Sequence, residues 1–373
     1  MNNSYSCQAE FQHNLKACYM ILTEKISVRR TARSRLREVD FNNLDFGKMI
    51  SDHMLTSEYK DGEWNAPYIM PYGDIVFSPT ILALHYGQMV FEGMKAFKMK
   101  DGRNSIFRIK KHYDRFSKSL ERMCMAPVPY EIFSEGLIEL IKVDAGWVPD
   151  TEGSALYIRP FSFASEERFG VKVSDEYRFI IFSGPVGPYY SKPLKVKVED
   201  KYMRASRGGT GFAKCGGNYG AAFYPLQQAK KEGFDQVLWT DGTPELNIEE
   251  SGTMNVMFVI NNAIVTPPLS DSILDGVTRD SFLTIAKDMG IKVEERKIGA
   301  KELAESIQKG ILTEAFGTGT AAVVAPIQEI HILGKDHRIG DIKDNGVMSK
   351  VRNELNAIRL GEKPDKYKWN TII

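Results

Sequence analysis

The sequence predicts an α+β protein built from two α/β domains, and three observations carry that expectation. At 373 residues the chain exceeds the size at which one hydrophobic core usually stays single. Segments with strand-type and helix-type apolar spacing alternate from about residue 45 to the end. One stretch, Gly184-Pro-Val-Gly-Pro-Tyr-Tyr-Ser-Lys-Pro193, interrupts the alternation with two glycines and three prolines. The expected division is an N-terminal extension at 1–40, a small α/β domain at 41–183, a linker at 184–193 and a larger domain at 194–373.

In chain order, residues 1–40 read as an extension carrying a basic run at Arg29, Arg30, Arg33, Arg35 and Arg37. Ala66–Phe77 reads as extended. Met94–Lys98 and Ser105–Ile109 are strands joined by the Asp101-Gly102 turn. A helix is expected from Lys110, because Tyr113, Phe116 and Leu120 recur at helical spacing, and a second over Tyr130–Ala145. Ala155–Phe163 and Tyr177–Ser183 are aromatic-rich strands. After the linker come a strand at Leu194–Glu199, a helix at Tyr219–Glu232 and strands at Gln236–Thr240, Met254–Ile260 and Ala263–Pro267. A helix opening at Ile273-Leu-Asp-Gly-Val-Thr-Arg279 ends at Gly290. Glu314–Ala321 reads as a small-residue loop. A last helix, Val347–Leu360, stripes Met348, Val351, Leu355 and Ile358.

Composition narrows the function. The chain is 43% hydrophobic and 26% charged, as globular proteins are. A net charge of +1 gives no drive towards nucleic acid or an anionic membrane, so neither partner is expected. No apolar run reaches membrane-spanning length. The four cysteines (Cys7, Cys18, Cys124, Cys215) form no CxxC, and the six histidines form no HExxH, so no protein-ligated metal is expected. Sparse cysteine fits a reducing cytoplasm. Organellar targeting by residues 1–40 is the less favoured reading, since Glu10, Glu24 and Glu38 lie within the segment.

The densest chemical signal is Arg204-Ala-Ser-Arg-Gly-Gly-Thr-Gly-Phe-Ala-Lys-Cys-Gly-Gly-Asn-Tyr-Gly220. Glycines flank Lys214 on both sides, as expected where backbone approaches a ligand. A nucleotide-binding P-loop fails, because it needs Gly before the lysine and Ser or Thr after it, and Ala213 and Cys215 stand there. An amine in a partly dry site loses basicity and attacks carbonyls. Arg115, the helix start at Val277-Thr278 and the loop at Thr320 each suit a phosphate. An aldehyde held by Lys214 and a phosphate held by these groups together describe pyridoxal 5'-phosphate. Its ring nitrogen needs an acid. Glu250 is the candidate, with Glu249 the adjacent rival.

From about Asp45 onward the chain resembles the branched-chain amino acid aminotransferases, pyridoxal-phosphate enzymes of fold type IV. Seven segments carry the resemblance in order: Phe91-Glu-Gly-Met-Lys-Ala-Phe97, Leu156-Tyr-Ile-Arg-Pro160, Gly184-Pro-Val-Gly-Pro-Tyr189, the Arg204–Tyr219 run, Glu250-Ser-Gly-Thr-Met-Asn255, Leu274-Asp-Gly-Val-Thr-Arg279 and Phe316-Gly-Thr-Gly-Thr-Ala321. The resemblance implies a smaller N-terminal α/β domain, a larger C-terminal domain with a mixed β-barrel-like core, and a homodimer. It implies a transaminase that exchanges the amino groups of L-leucine, L-isoleucine and L-valine with 2-oxoglutarate, giving branched 2-oxo acids and L-glutamate. By the resemblance, Lys214 bonds the cofactor, Arg115, Val277, Thr278 and Thr320 hold its phosphate, Glu250 meets its ring nitrogen and Tyr219 its ring oxygen. Thr253 and Ala321 match positions that take the substrate carboxylate. Phe46, Tyr86, Phe91, Tyr157 and Tyr189 match the lining around the substrate side chain. Arg159 matches an arginine used for acidic substrates.

The family's mammalian members carry a CxxC after the Gly-Thr-Gly-Thr-Ala loop. Ala322 and Ala325 stand at those positions, so dithiol control is not expected. Two rivals share Lys214 and Glu250: a D-amino acid aminotransferase and an aminodeoxychorismate lyase. The Leu156–Pro160 and Gly184–Tyr189 segments favour the branched-chain enzyme. A phosphate-ligand binding protein with a degenerate site would be expected to lose the lysine or the glutamate, and both are present.

Overall fold

The structure is a computed structural model that describes residues 26–190 and 192–373. Cys7, Cys18 and most of the expected extension lie outside the described residues. Two sheets organise the rest. The first contains β1 (Ser27–Val28), β2 (His53–Lys60), β3 (Glu63–Trp64), β4 (Tyr68–Pro71), β5 (Met89–Phe91), β6 (Met94–Lys98), β7 (Asn104–Phe107), β8 (Ala155–Ala164) and β9 (Tyr177–Val186). The second contains β10 (Leu194–Val198), β11 (Gln236–Thr240), β12 (Ile248–Ser251), β13 (Met254–Ile260), β14 (Ala263–Thr266), β15 (Val293–Glu295), β16 (Leu312–Gly319), β17 (Val323–Ile332) and β18 (Lys335–Arg338). A last strand, β19 (Asn370–Ile372), returns to pair with β7 of the first sheet. Thus Ser27–Val28 and Asn370–Ile372 belong to the first sheet, although one precedes and the other lies far beyond 41–183.

The first sheet runs β1-β4-β2-β9-β8-β6-β7-β19, with β3 on β2 and β5 on β8. After α1 (Leu82–Tyr86), the helices α2 (Ile109–Arg122) and α3 (Tyr130–Val143) follow in this half. In α2 the buried positions Ile109, His112, Phe116, Ser119 and Leu120 follow the helical repeat and form one face. Phe116 and Phe133 stand 5.5 Å apart, and each packs on Phe179 of β9. All three rings are fully buried, each contributing about 1.5–3 kcal/mol of transfer free energy.

In the second sheet, β12-β11-β10-β17-β16-β13 closes on itself, because β12 also pairs with β13. The mixed, closed six-stranded ring is the barrel-like core expected of fold type IV. β13 shows how it packs. Met254, Val256, Phe258 and Ile260 face one apolar cluster with Leu194, Leu238 and Ile327. Met257 and Val259 face the other way, as strand alternation requires. They meet α5 (Val277–Asp288) and α7 (Val347–Arg359) through Phe282, Ile285, Met348, Val351, Leu355 and Ile358. The other helices of this half are α4 (Gly216–Lys231) and α6 (Ala300–Gln308).

Three local expectations change. Gly184-Pro-Val186 is not linker but the end of β9, opposite Tyr157, Leu156 and Ala155. Glu314–Gly319 is strand, and only Thr320–Ala322 turns. Gly216 and Gly217 begin α4 rather than precede it. In each case ladder or helix hydrogen bonding overrides the loop tendency of glycine and proline.

Candidate functional site

A cavity of about 250 Å³ lies where the two sheets meet. Lys214, Arg115, Tyr219, Glu250, Val277, Thr278, Thr320, Phe46, Phe91, Tyr157, Arg159, Tyr189, Thr253 and Ala321 all line it. Tyr86 does not. It ends α1, 43% exposed, away from the cavity.

Lys214 precedes α4, and its backbone is fixed at both ends. Its N–H donates to Ser119 Oγ at 2.9 Å, and its carbonyl accepts from Phe91 N at 3.0 Å. The side-chain Nζ donates to the Tyr219 hydroxyl at 2.8 Å and lies 4.9 Å from the Phe91 ring centroid. Tyr219 sits one turn into α4, which places its hydroxyl beside the lysine. The rest of the run is tied down by Asn218, whose Nδ2 donates to the carbonyls of Thr210 and Ala213 at 2.8 and 2.9 Å. None of the run's glycines lines the cavity. Gly211 packs on Ser272 and Gly216 on Met89, so these glycines serve close packing of protein on protein rather than approach to a ligand.

Glu250 lies within β12. Neighbouring strand residues face opposite sides, so Glu250 lines this cavity while Glu249 lines a separate one. One Glu250 oxygen accepts from Leu274 N at 2.9 Å and Asn255 Nδ2 at 3.3 Å. The other lies 2.8 Å from Arg204 Nε. Burial pushes the Glu250 carboxyl up, and the Arg204 charge opposes that push. Gly276 caps the start of α5 with no room for a side chain, since a Cβ there would stand 1.9 Å from Asn255 Oδ1. The cavity therefore receives the N–H end of a helix at Val277 and Thr278, a natural seat for an anion.

Arg115 reaches the same place from α2. Its Nη1 donates to the Asp275 carbonyl at 3.0 Å, while Nε and Nη2 form a two-pronged pair with Glu92 at 2.6 and 2.8 Å. Glu92 has no exposed surface and also bonds His112 Nδ1 at 2.9 Å. Burial pushes its carboxyl up, but Arg115 and His112 outweigh this and hold it well below the ordinary range. The sequence reading missed Glu92 as an orienting residue. Its signal was in view, in the Phe91-Glu-Gly segment. Arg204 and Asn255 were likewise quoted within segments without a role.

Aromatic rings form the other wall. Phe46 meets Tyr157 and Tyr189 edge-on, each at 5.0 Å, and Tyr189 meets Tyr190 at 4.7 Å. Tyr190, unassigned from sequence, also lines the cavity. Arg159 donates to the Tyr157 hydroxyl at 3.2 Å and lies 4.8 Å from the Phe91 centroid, while its Nε is buried without a partner. Such a wall joins apolar area to polar edges and a spare cation.

Residues 89–330 match the family described as Amino-transferase class IV. The chain is 43% identical over 354 residues to a probable branched-chain-amino-acid aminotransferase of Staphylococcus aureus (strain MRSA252), covering 94% of this chain and 98% of the relative. Among solved structures, it resembles the branched-chain aminotransferase of Thermoproteus uzoniensis with norvaline, with a TM-score of 0.70 at 25% identity, covering 85% of this chain and 98% of that one. It also resembles a T.th. branched-chain amino acid aminotransferase complexed with N-(5'-phosphopyridoxyl)-L-glutamate, with a TM-score of 0.68 at 26% identity, covering 84% and 97%.

Proposed function

The chain belongs to the class IV amino-transferases, and within them to the branched-chain-amino-acid aminotransferases, and from that premise we propose how its cavity serves the reaction. The enzyme moves the amino group of L-leucine, L-isoleucine or L-valine to 2-oxoglutarate and back, which rules in the transaminase reading over the lyase and D-amino acid alternatives. One observation carries the assignment of residues: an amine, a buried carboxylate and a helix N-terminus converge on one cavity walled by aromatic rings.

These residues fit pyridoxal 5'-phosphate. Val277, Thr278, Thr320 and Arg115 would hold the phosphate, Glu250 the ring nitrogen, Tyr219 the ring oxygen, and Lys214 the aldehyde carbon. When bound, the cofactor supplies a carbonyl for the substrate amine and an electron sink for the α-carbon. The freed Lys214 Nζ would take the substrate α-proton as a base and, as an acid, deliver it to the carbon that had carried the aldehyde rather than back to the α-carbon. Tyr219, as the hydrogen-bond partner of Nζ, aims that amine. Arg204 favours the anionic form of Glu250 against the upward push of burial, and Glu92 keeps Arg115 aimed at the anion seat.

Substrate recognition divides in two. Thr253 and Ala321 take the carboxylate common to every substrate. The rings of Phe46, Phe91, Tyr157 and Tyr189 take a branched side chain, and Arg159, with its spare buried N–H, takes the second carboxylate of glutamate or 2-oxoglutarate. The protein works as a cytoplasmic homodimer in this reading. The dimer is supported by exposed apolar side chains on two segments joined by the Ile81–Glu167 bridge, Val76, Leu84 and Tyr86 on one and Phe169 and Val171 on the other. The test is direct. The purified protein is given each L-amino acid with 2-oxoglutarate, and glutamate is measured. Formation with leucine, isoleucine and valine is expected, and none with all three overturns the assignment.

A further inference from the structure

Lys95 lies on β6 directly opposite Tyr157 of β8. Tyr157 lines the cavity, but Lys95 does not. Its side chain passes behind the wall, and Nζ donates to the carbonyl of Ala321 at 2.9 Å, linking residues 226 positions apart. That is the one side-chain hydrogen bond onto the backbone of the Thr320–Ala322 turn among the described residues. Lys95 is 5% exposed and forms no ion pair there. Burial, and then the nearby Arg359 guanidinium, pulls its amine down to about 7. Packing alone does not explain such a residue, because a methionine would fill similar space without burying an ammonium.

The turn itself needs holding. Val323, its first residue after Ala322, has φ of 60°. A β-branched residue in the left-handed region is strained and persists only where its surroundings enforce it. Across the turn, Gly319 pairs with Val323, and Lys95 fixes the peptide between them.

We propose that Lys95 is a positioning residue for the substrate carboxylate, holding the Ala321 carbonyl so that the Thr320–Ala321 backbone is set to receive that group. This rests on the reading that Ala321 seats the carboxylate. The two ideas separate in one experiment. Inhibition constants against L-leucine are measured for 4-methylvalerate and its uncharged amide in the cofactor-loaded wild type, Lys95→Met and Lys95→Arg. Wild type should prefer the acid. Lys95→Met should lose about tenfold of that preference, with KM for leucine and 2-oxoglutarate rising more than kcat falls. Lys95→Arg, which keeps a donor, should retain the preference. An unchanged acid-to-amide ratio in Lys95→Met, even with lower melting temperature or kcat, overturns the role of Lys95. No preference in wild type overturns the carboxylate seat and the Lys95 role with it. If Lys95→Met does not fold, the ratio in Lys95→Ala decides on the same terms.

Discussion

Arg204 Nε lies 2.8 Å from Glu250 Oε2, where Glu250 is buried and Arg204 largely so. Burial raises the Glu250 pKa, and Arg204 is the first force against it. A carboxylate that must be anionic to hold a protonated ring nitrogen is present only above its raised pKa, so activity falls on the acid side. Replacing Arg204 by Met removes the opposing charge. The acid limb of kcat/KM should then move to higher pH, and the absorbance of bound cofactor should change its pH dependence in parallel. A limb that stays in place would detach Arg204 from Glu250 function. In Glu250→Gln, cofactor retention with a large loss of rate is expected, and wild-type turnover would reject Glu250 as the ring acid.

The Glu92–Arg115 pair predicts a stability effect with a definite sign. Glu92 is held below its ordinary pKa by Arg115 and His112. A depressed folded pKa contributes stability above the unfolded value, lost as pH falls through the folded one. Arg115→Met leaves that carboxylate buried without its guanidinium, with only His112 and the Gly93 N–H as partners, which should cost about 3–5 kcal/mol near neutral pH. Protonation relieves the penalty, so the gap between variant and wild type should narrow as pH drops below about 5. Urea titrations at several pH values measure this. A gap that stays constant with pH would mean that Glu92 is not the source.

The sequence made most of the cavity legible because its residues sit in short segments with distinctive chemistry. Lys214, Glu250 and the Gly276-Val277-Thr278 helix start are local signals, readable without knowing what they face. What faces them was not readable. Glu92 acts through Arg115, 23 positions away, and Lys95 acts through Ala321, 226 away. Such pairings follow from how β6, β8 and the barrel rim meet, and no local periodicity reports them. The same limit explains the glycines beside Lys214. Their number was evident, but whether they admit a ligand or a protein neighbour depended on Ser272 and Met89. Tyr86 fell outside the cavity for a related reason, because its place depends on where α1 packs.

Gly276 should tolerate no side chain. A Cβ would stand 1.9 Å from Asn255 Oδ1, and Asn255 also bonds Glu250 and the Leu274 carbonyl. Backbone at both sites is fixed, so neither can yield cheaply. Gly276→Ala should cost about 1–3 kcal/mol by overpacking, and it should weaken cofactor binding because the displaced Asn255 adjoins both the acid and the helix start. Calorimetry and cofactor titration measure the two effects. Wild-type values in both would show that Asn255 swings away freely.

Lys214→Ala should abolish turnover while sparing the fold, since the side chain makes a single hydrogen bond, to Tyr219. Loss of the proton carrier alone removes about 10²–10⁴-fold. In wild type, borohydride reduction followed by peptide mapping should label Lys214. Turnover in Lys214→Ala above a trace, or labelling at another lysine, would reject its role.

The exposed apolar side chains of Phe169 and Val171, 94% and 83% accessible, should be covered in solution by a second copy of the chain. These two bare apolar side chains stand on a segment bridged to the one that carries Leu84 and Tyr86, also exposed, and exposed apolar side chains gathered on adjoining segments mark a contact surface. A charge placed there opposes burial, because an isolated carboxylate entering an apolar contact has no partner. Wild type should therefore sediment near twice its 42.1 kDa chain mass. Phe169→Asp combined with Val171→Asp should shift it towards monomer at micromolar concentration, with little change in the melting temperature of the first-sheet core. A wild-type protein that sediments as a monomer, or a double variant that remains dimeric, would show that the contact lies elsewhere.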